Sequence, residues 1–104
     1  MFTTSRVNVI ESDEGFSVEV LGRAGLRYYE GDKVLDVDSE IGEHPYEVIY
    51  ADSISRWKPP HEKEVIDKPK RFQIIQNIRR AFQSQGLDIG VIDPTLPRTR
   101  YKPE

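Results

Sequence analysis

The residues closest to a catalytic or metal-binding grouping are His61, Glu62, Glu64 and Asp67, which together offer one imidazole and three carboxylates within seven positions. Such a set would serve either as metal ligands or as an acid–base pair. A zinc site, however, needs three or four ligands held on rigid elements, and these follow Pro59-Pro60 in a loop with no metal-motif spacing. His61 therefore reads as a residue that caps or packs the loop, and no metal or cofactor is expected. His44 precedes Pro45 in a turn-like stretch and has no partner that spacing identifies. Ser53 and Ser55 lie in Asp52-Ser53-Ile54-Ser55-Arg56, without the glycine-flanked elbow that exposes a hydrolase serine, and read as turn residues. No GxGxxG or GxxxxGK loop is present to cradle a phosphate. With zero cysteines, disulfides and thiolate sites are excluded, which fits a reducing cytoplasm. An enzyme is not expected.

Charge is the stronger signal. The formal net charge is only -3, but residues 1–52 hold 12 acidic and 4 basic residues, whereas residues 53–104 hold 6 acidic and 11 basic. Nucleic acid is not an expected partner, because the basic residues concentrate around one helix and the tail rather than over a broad surface. The densest acidic stretch comprises Glu30, Asp32, Asp36, Asp38, Glu40, Glu43, Glu47 and Asp52 against the single Lys33. Two readings are open for it: a solvated hairpin that keeps the fold soluble, or a docking surface that steers a basic partner.

These residues must be carried by one small domain, since 104 residues leave no room for a second core. Apolar residues make up 37% and charged residues 32%, enough for a thin core. Period-two alternation marks strands at Val7 and Val9, at Phe16, Val18 and Val20, and at Tyr46, Val48 and Tyr50. Glycines 15, 22, 25, 31 and 42 fall between them as turn residues, and Leu26–Tyr29 should pair with Val34–Val37 across Glu30-Gly31-Asp32. The consecutive prolines of Trp57-Lys58-Pro59-Pro60-His61 take the chain out of the sheet. A helix follows, entered at Asp67 or Lys68 with Pro69 in its first turn. Its apolar arc is Ile74, Ile75, Ile78, Ala81 and Phe82, with Phe72 at the edge, and Gln85-Gly86 ends it. Leu87, Ile89 and Val91 alternate as a last strand. The expectation is an α+β domain over residues 1–93, an antiparallel sheet of about five or six strands packed on one face by a single amphipathic helix. Residues 94–104, with three prolines and three basic residues, form a tail. Neither a signal peptide nor an apolar run of about 18 residues is seen, so a soluble, cytoplasmic protein away from membranes is expected.

Two further groups invite a binding role. Trp57, the only tryptophan, either plugs the sheet–helix junction or stands exposed as an anchor. The helix face opposite the isoleucines carries Gln73, Gln76, Asn77, Arg80 and Gln83, which is either a solvated face or an adaptable polar contact surface.

The segment from Tyr46 to Gly86, with Tyr50-Ala51-Asp52-Ser53-Ile54-Ser55-Arg56-Trp57, then Pro59-Pro60-His61, then the isoleucine-rich helix closed by Gly86, resembles the immunity protein 74 family. That resemblance implies a bacterial antitoxin-like protein of polymorphic toxin systems, which binds a cognate toxin, and it assigns no catalytic role to any residue of this sequence. The expected contact residues are Glu30, Asp32, Asp36, Asp38, Glu40, Glu43 and Glu47 against a basic toxin, with Trp57, His61, Gln73, Gln76, Asn77 and Arg80 as the alternative surface. The alternative function is a small non-enzymatic adaptor or regulatory module, using the helix or a strand edge for another protein.

Overall fold

A computed structural model describes residues 1–6, 8–22, 25–41 and 47–92. The chain begins with a meander of five antiparallel strands in the order β1-β2-β3-β4-β5: β1 (Phe2–Arg6), β2 (Val9–Ser12), β3 (Phe16–Val20), β4 (Leu26–Glu30) and β5 (Lys33–Val37). A second sheet of three strands follows, β6 (Ser39–Ile41), β7 (Glu47–Tyr50) and β8 (Ile89–Ile92), with β7 at its centre. Between β7 and β8 come a 3-10 turn at Ala51–Ser53, the proline segment and the single helix α1 (Lys68–Gln83). The fold is thus α+β with one helix, as the alternation and the apolar arc require.

The hairpin turn at Gly31 explains the β4–β5 register. Gly31 has φ +62°, open to glycine without strain, and Glu30 pairs with Lys33 to close a two-residue connection. Gly25 is demanded for a different reason. A Cβ there would stand 2.5 Å from the Val37 carbonyl oxygen, so only glycine lets β4 begin beside the end of β5.

The registers place Ile10, Phe16, Val18, Leu26, Tyr28, Leu35 and Val37 on the face toward the core. In β2 it is Ile10 that joins this core cluster; Val9, which pairs with Glu19 on the opposite face, is buried but stands outside it. In β7 the phase is the reverse of the one expected: Ile49 is fully buried while Val48 and Tyr50 are half-buried. The four residues Glu47–Tyr50 alternate equally well in either phase, and packing into the common core chose the isoleucine. Val7, Gly42, His44, Pro45, Tyr46 and the expected tail 94–104 lie outside the described residues.

α1 starts where the sequence indicates. Asp67 is the N-cap, its side chain accepting the Lys70 N–H at 2.9 Å, and Pro69 occupies the first turn. At the far end the Gly86 and Leu87 amides donate to the Gln83 and Phe82 carbonyls at 2.9 and 3.0 Å, a glycine-terminated closure with Gly86 at φ +76°. Ile74, Ile75, Ile78, Ala81 and Phe82 are buried and join Ile49 and Ile89 of the second sheet in the same core cluster, so the helix cements both sheets. The β8 strand is not another rung of the meander: it returns beside β7 in parallel, Val48 opposite Gly90 and Ile49 opposite Val91. A strand reached through a helical connection can lie parallel to its partner, whereas a tight hairpin cannot. Among the described residues no helix is long and apolar enough to cross a membrane.

Candidate partner-binding surface

The Trp57–His61 segment is a strap fastened over the β4–β5 hairpin. Trp57 is 1% exposed and stacks on Tyr28, with ring centroids 6.4 Å apart. Tyr28 in turn stacks on Phe16 and Phe16 meets Phe2 edge-on, each at 5.9 Å, giving an aromatic row across the sheet. The Lys33 ammonium lies 5.6 Å from the centre of the Trp57 ring on the hairpin side. The strap is tied to the hairpin by the Lys58 amide donating to the Val34 carbonyl at 2.7 Å, by Lys58 with Asp36 at 3.2 Å, and by His61 Nε2 with Asp32 at 3.4 Å. An ion pair of Lys33 with Glu64 extends the tie beyond the strap. Of the two readings of Trp57, the structure therefore takes the plug, and a buried ring offers no anchor to a partner.

Several acidic residues of the expected docking stretch are already engaged within the chain. Asp36 accepts from Arg27 at 2.7 Å as well as from Lys58, and the Arg27 hydrogen bond is the main reason its carboxyl is held below the ordinary aspartate range. Glu30 faces inward at the sheet end, opposite Phe16, where it accepts from the Tyr28 hydroxyl at 2.7 Å and pairs with Lys70 of α1. Burial pushes the Glu30 carboxyl up, but the hydrogen bonds from Lys70 and Tyr28 and the charges of Lys70 and Lys33 outweigh it, leaving it below its ordinary value. Asp32 is 84% exposed and touches His61. Asp38 and Glu40 are exposed, and Glu40 accepts from the Tyr50 hydroxyl, which raises the Tyr50 pKa. Glu43 lies outside the described residues, and Glu47 is placed by its backbone in β7. Hairpin pairing, which sequence distance hides, thus turns one acidic run into inward ties at Glu30 and Asp36 and an exposed remainder at Asp32, Asp38 and Glu40.

The alternative surface divides in the same way. Asn77 is 9% exposed and belongs to the inner side of α1, where its amide donates to the Tyr28 hydroxyl at 2.9 Å; placing it on the solvated face is corrected. A wheel position at the flank of the apolar arc faces inward here because Tyr28, a polar-tipped residue in the core, supplies an acceptor for it. Arg80 forms a two-pronged pair with Glu14 at 2.6 and 3.1 Å and lies over Phe2 and Phe16. Gln73 is exposed and accepts from Lys70, while Gln76 is half-buried. Phe72, expected at the edge of the core arc, is 63% exposed instead, and Val65 is 81% exposed. On the wheel Phe72 falls in line with Gln76, Arg79 and Gln83, a stripe that borders the apolar arc beside Ile75, so the pattern alone left its exposure to be decided by packing. Among the described residues no three His, Asp or Glu side chains are grouped as metal ligands.

The family model for immunity protein 74 matches residues 17–92, from the second residue of β3 to the last of β8. The chain belongs to the immunity protein 74 family. The match takes in the strap, the helix and both flanking hairpin strands, so in this immunity protein 74 member the Trp57–His61 segment that fastens the fold lies within the matched region. No curated protein and no solved structure gives a match to the chain.

Proposed function

We propose that this protein neutralises a cognate bacterial toxin domain by stoichiometric protein–protein binding in the cytoplasm of the producing cell. The observation that carries the reading is the family match over residues 17–92, which spans the whole helix and six of the eight strands. A binding role also suits what the side chains do. His61, the residue best typed for acid–base work, is tied to Asp32, and Tyr28 and Asn77, the inner polar groups of the helix–sheet junction, satisfy each other.

For a basic toxin, the exposed charges available for steering are Asp32, Asp38 and Glu40, together with Glu43 and Glu47 from the sequence. The test is co-expression with the toxin domain encoded beside this gene, followed by isolation of the complex and measurement of its association rate against salt. Protection and a one-to-one complex are expected. Toxicity that persists, with no complex formed, overturns the reading. If Asp38→Lys and Glu40→Lys leave the association rate and its salt dependence unchanged, steering by the acidic stretch is refuted while neutralisation stands.

A further inference from the structure

α1 has an unusual charge content for a helix lying on a sheet: Lys68, Lys70, Arg71, Arg79 and Arg80, and no acidic residue at all. The sheet answers only part of it. Lys70 pairs with Glu30 and Arg80 with Glu14, whereas Lys68, Arg71 and Arg79 make no ion pair among the described residues, and of these Arg71 is half-buried against the apolar arc. Lys68 and Arg79 lie on one stripe with Phe72, Gln76 and Gln83, since positions 68, 72, 76, 79 and 83 recur at helical spacing along the flank of α1 that borders Ile75; Lys68, Phe72 and Gln83 are exposed there, and Gln76 and Arg79 are half-buried.

Two features of this stripe are unrewarded within the isolated fold. Phe72 leaves 63% of its surface in water, although the helix has an apolar arc nearby and the position is otherwise free to be polar. Lys68 stands in the first turn, where the macrodipole favours an acidic residue and disfavours a cation. Local rules broken without internal compensation are the pattern expected where a surface is shaped for something outside the chain.

We infer that the flank of α1 centred on the exposed Phe72 is the surface by which this protein grips its partner, and that the partner is a folded protein presenting an apolar pocket for Phe72 rimmed by carboxylates that meet Lys68 and Arg79. The charge pattern selects the chemistry of the occupant. An acidic rim supplies the counter-charges the sheet does not, and burial of a single aromatic between amide side chains is how a compact protein interface is anchored. Nucleic acid fits less well, because two cations flanking a phenylalanine on one stripe do not make a phosphate track. The inference rests on the neutralisation reading above and gives the close contact to this flank of α1, leaving to Asp32, Asp38 and Glu40 only the long-range steering of a toxin that is basic elsewhere on its surface.

The experiment uses the full chain and the toxin domain encoded beside its gene, with Phe72→Ser and the double variant Lys68→Glu/Arg79→Glu, each followed by complex dissociation constant and thermal melt. Phe72→Ser should weaken the complex by roughly 30-fold or more with the melt unchanged within a few degrees. The double variant should weaken it by roughly 10-fold or more while its melt stays or rises, because a glutamate in the first turn suits the dipole. This opposite movement of binding and stability is what a merely structural role would not produce. A complex with the parent that both variants leave intact overturns the surface alone. If the parent forms no complex, the neutralisation reading fails and the surface with it; binding of a 20-nucleotide single-stranded RNA, lost in the double variant, would reassign the stripe to nucleic acid.

Discussion

Removing one oxygen from Tyr28 tests whether the polar junction between helix and sheet holds the fold. The Tyr28 side chain is fully buried; its hydroxyl donates to Glu30 Oε1 at 2.7 Å and accepts from Asn77 Nδ2 at 2.9 Å. Tyr28→Phe deletes both bonds. A hydrogen bond to a charged group contributes about 1.5 to 3 kcal/mol, and the lower end applies because Glu30 keeps Lys70 and is 29% open to water. Asn77, by contrast, is 9% exposed, and its stranded amide hydrogen should cost about 1 to 3 kcal/mol. The expected loss is about 2 to 4 kcal/mol, or a melting temperature lower by roughly 10 to 20 °C for a domain of this size. Urea unfolding followed through the fluorescence of the single, buried Trp57 measures it, with an unchanged slope showing that the same surface unfolds. Asn77→Leu made in the Tyr28→Phe background should add less than it costs alone, because the group left unpaired is then gone, with a coupling of about 1 to 2 kcal/mol. A Tyr28→Phe protein within about 0.5 kcal/mol of the parent, or strict additivity in the double variant, would refute the idea that this junction is closed by mutual satisfaction.

Three further outcomes are expected. Phe82→Ala should lose about 3 to 5 kcal/mol, since Phe82 is 1% exposed in the core shared by both sheets, and a melt within a degree or two of the parent would contradict helix-on-sheet packing. Glu30 is held below its ordinary value of 4.5 in the folded state, so its stabilising share is present above that pH and is lost as pH falls through the lower folded value; Glu30→Gln should flatten the acid limb of the stability profile below about pH 4.5, and an identical limb would remove Glu30 from the account. Metal analysis of protein purified without a histidine tag should find no stoichiometric zinc or iron, and a stoichiometric ion that disappears in His61→Ala would overturn the reading of His61 as a strap residue.

The sequence by itself determined the elements whose signals are local. Asp67 and Pro69 before the apolar arc start the helix, Gly86 closes it, and Gly31 between two alternating runs makes the β4–β5 hairpin, because caps and turns are decided by side-chain and backbone geometry within a few residues. The rare Trp-x-Pro-Pro-His segment was likewise enough to point to the immunity protein 74 family. Tertiary structure decided what depends on distance across the chain. Short strands such as Glu47–Tyr50 carry no phase of their own, so burial of Ile49 rather than Val48 came from the common core that Ile49 joins. Asn77 faces inward only because Tyr28, 49 residues away, meets it there. The acidic run read as one field until the hairpin, the strap and the helix brought Arg27, Lys58 and Lys70 against Asp36 and Glu30, since a linear sequence records the charges but not which of them are already neutralised.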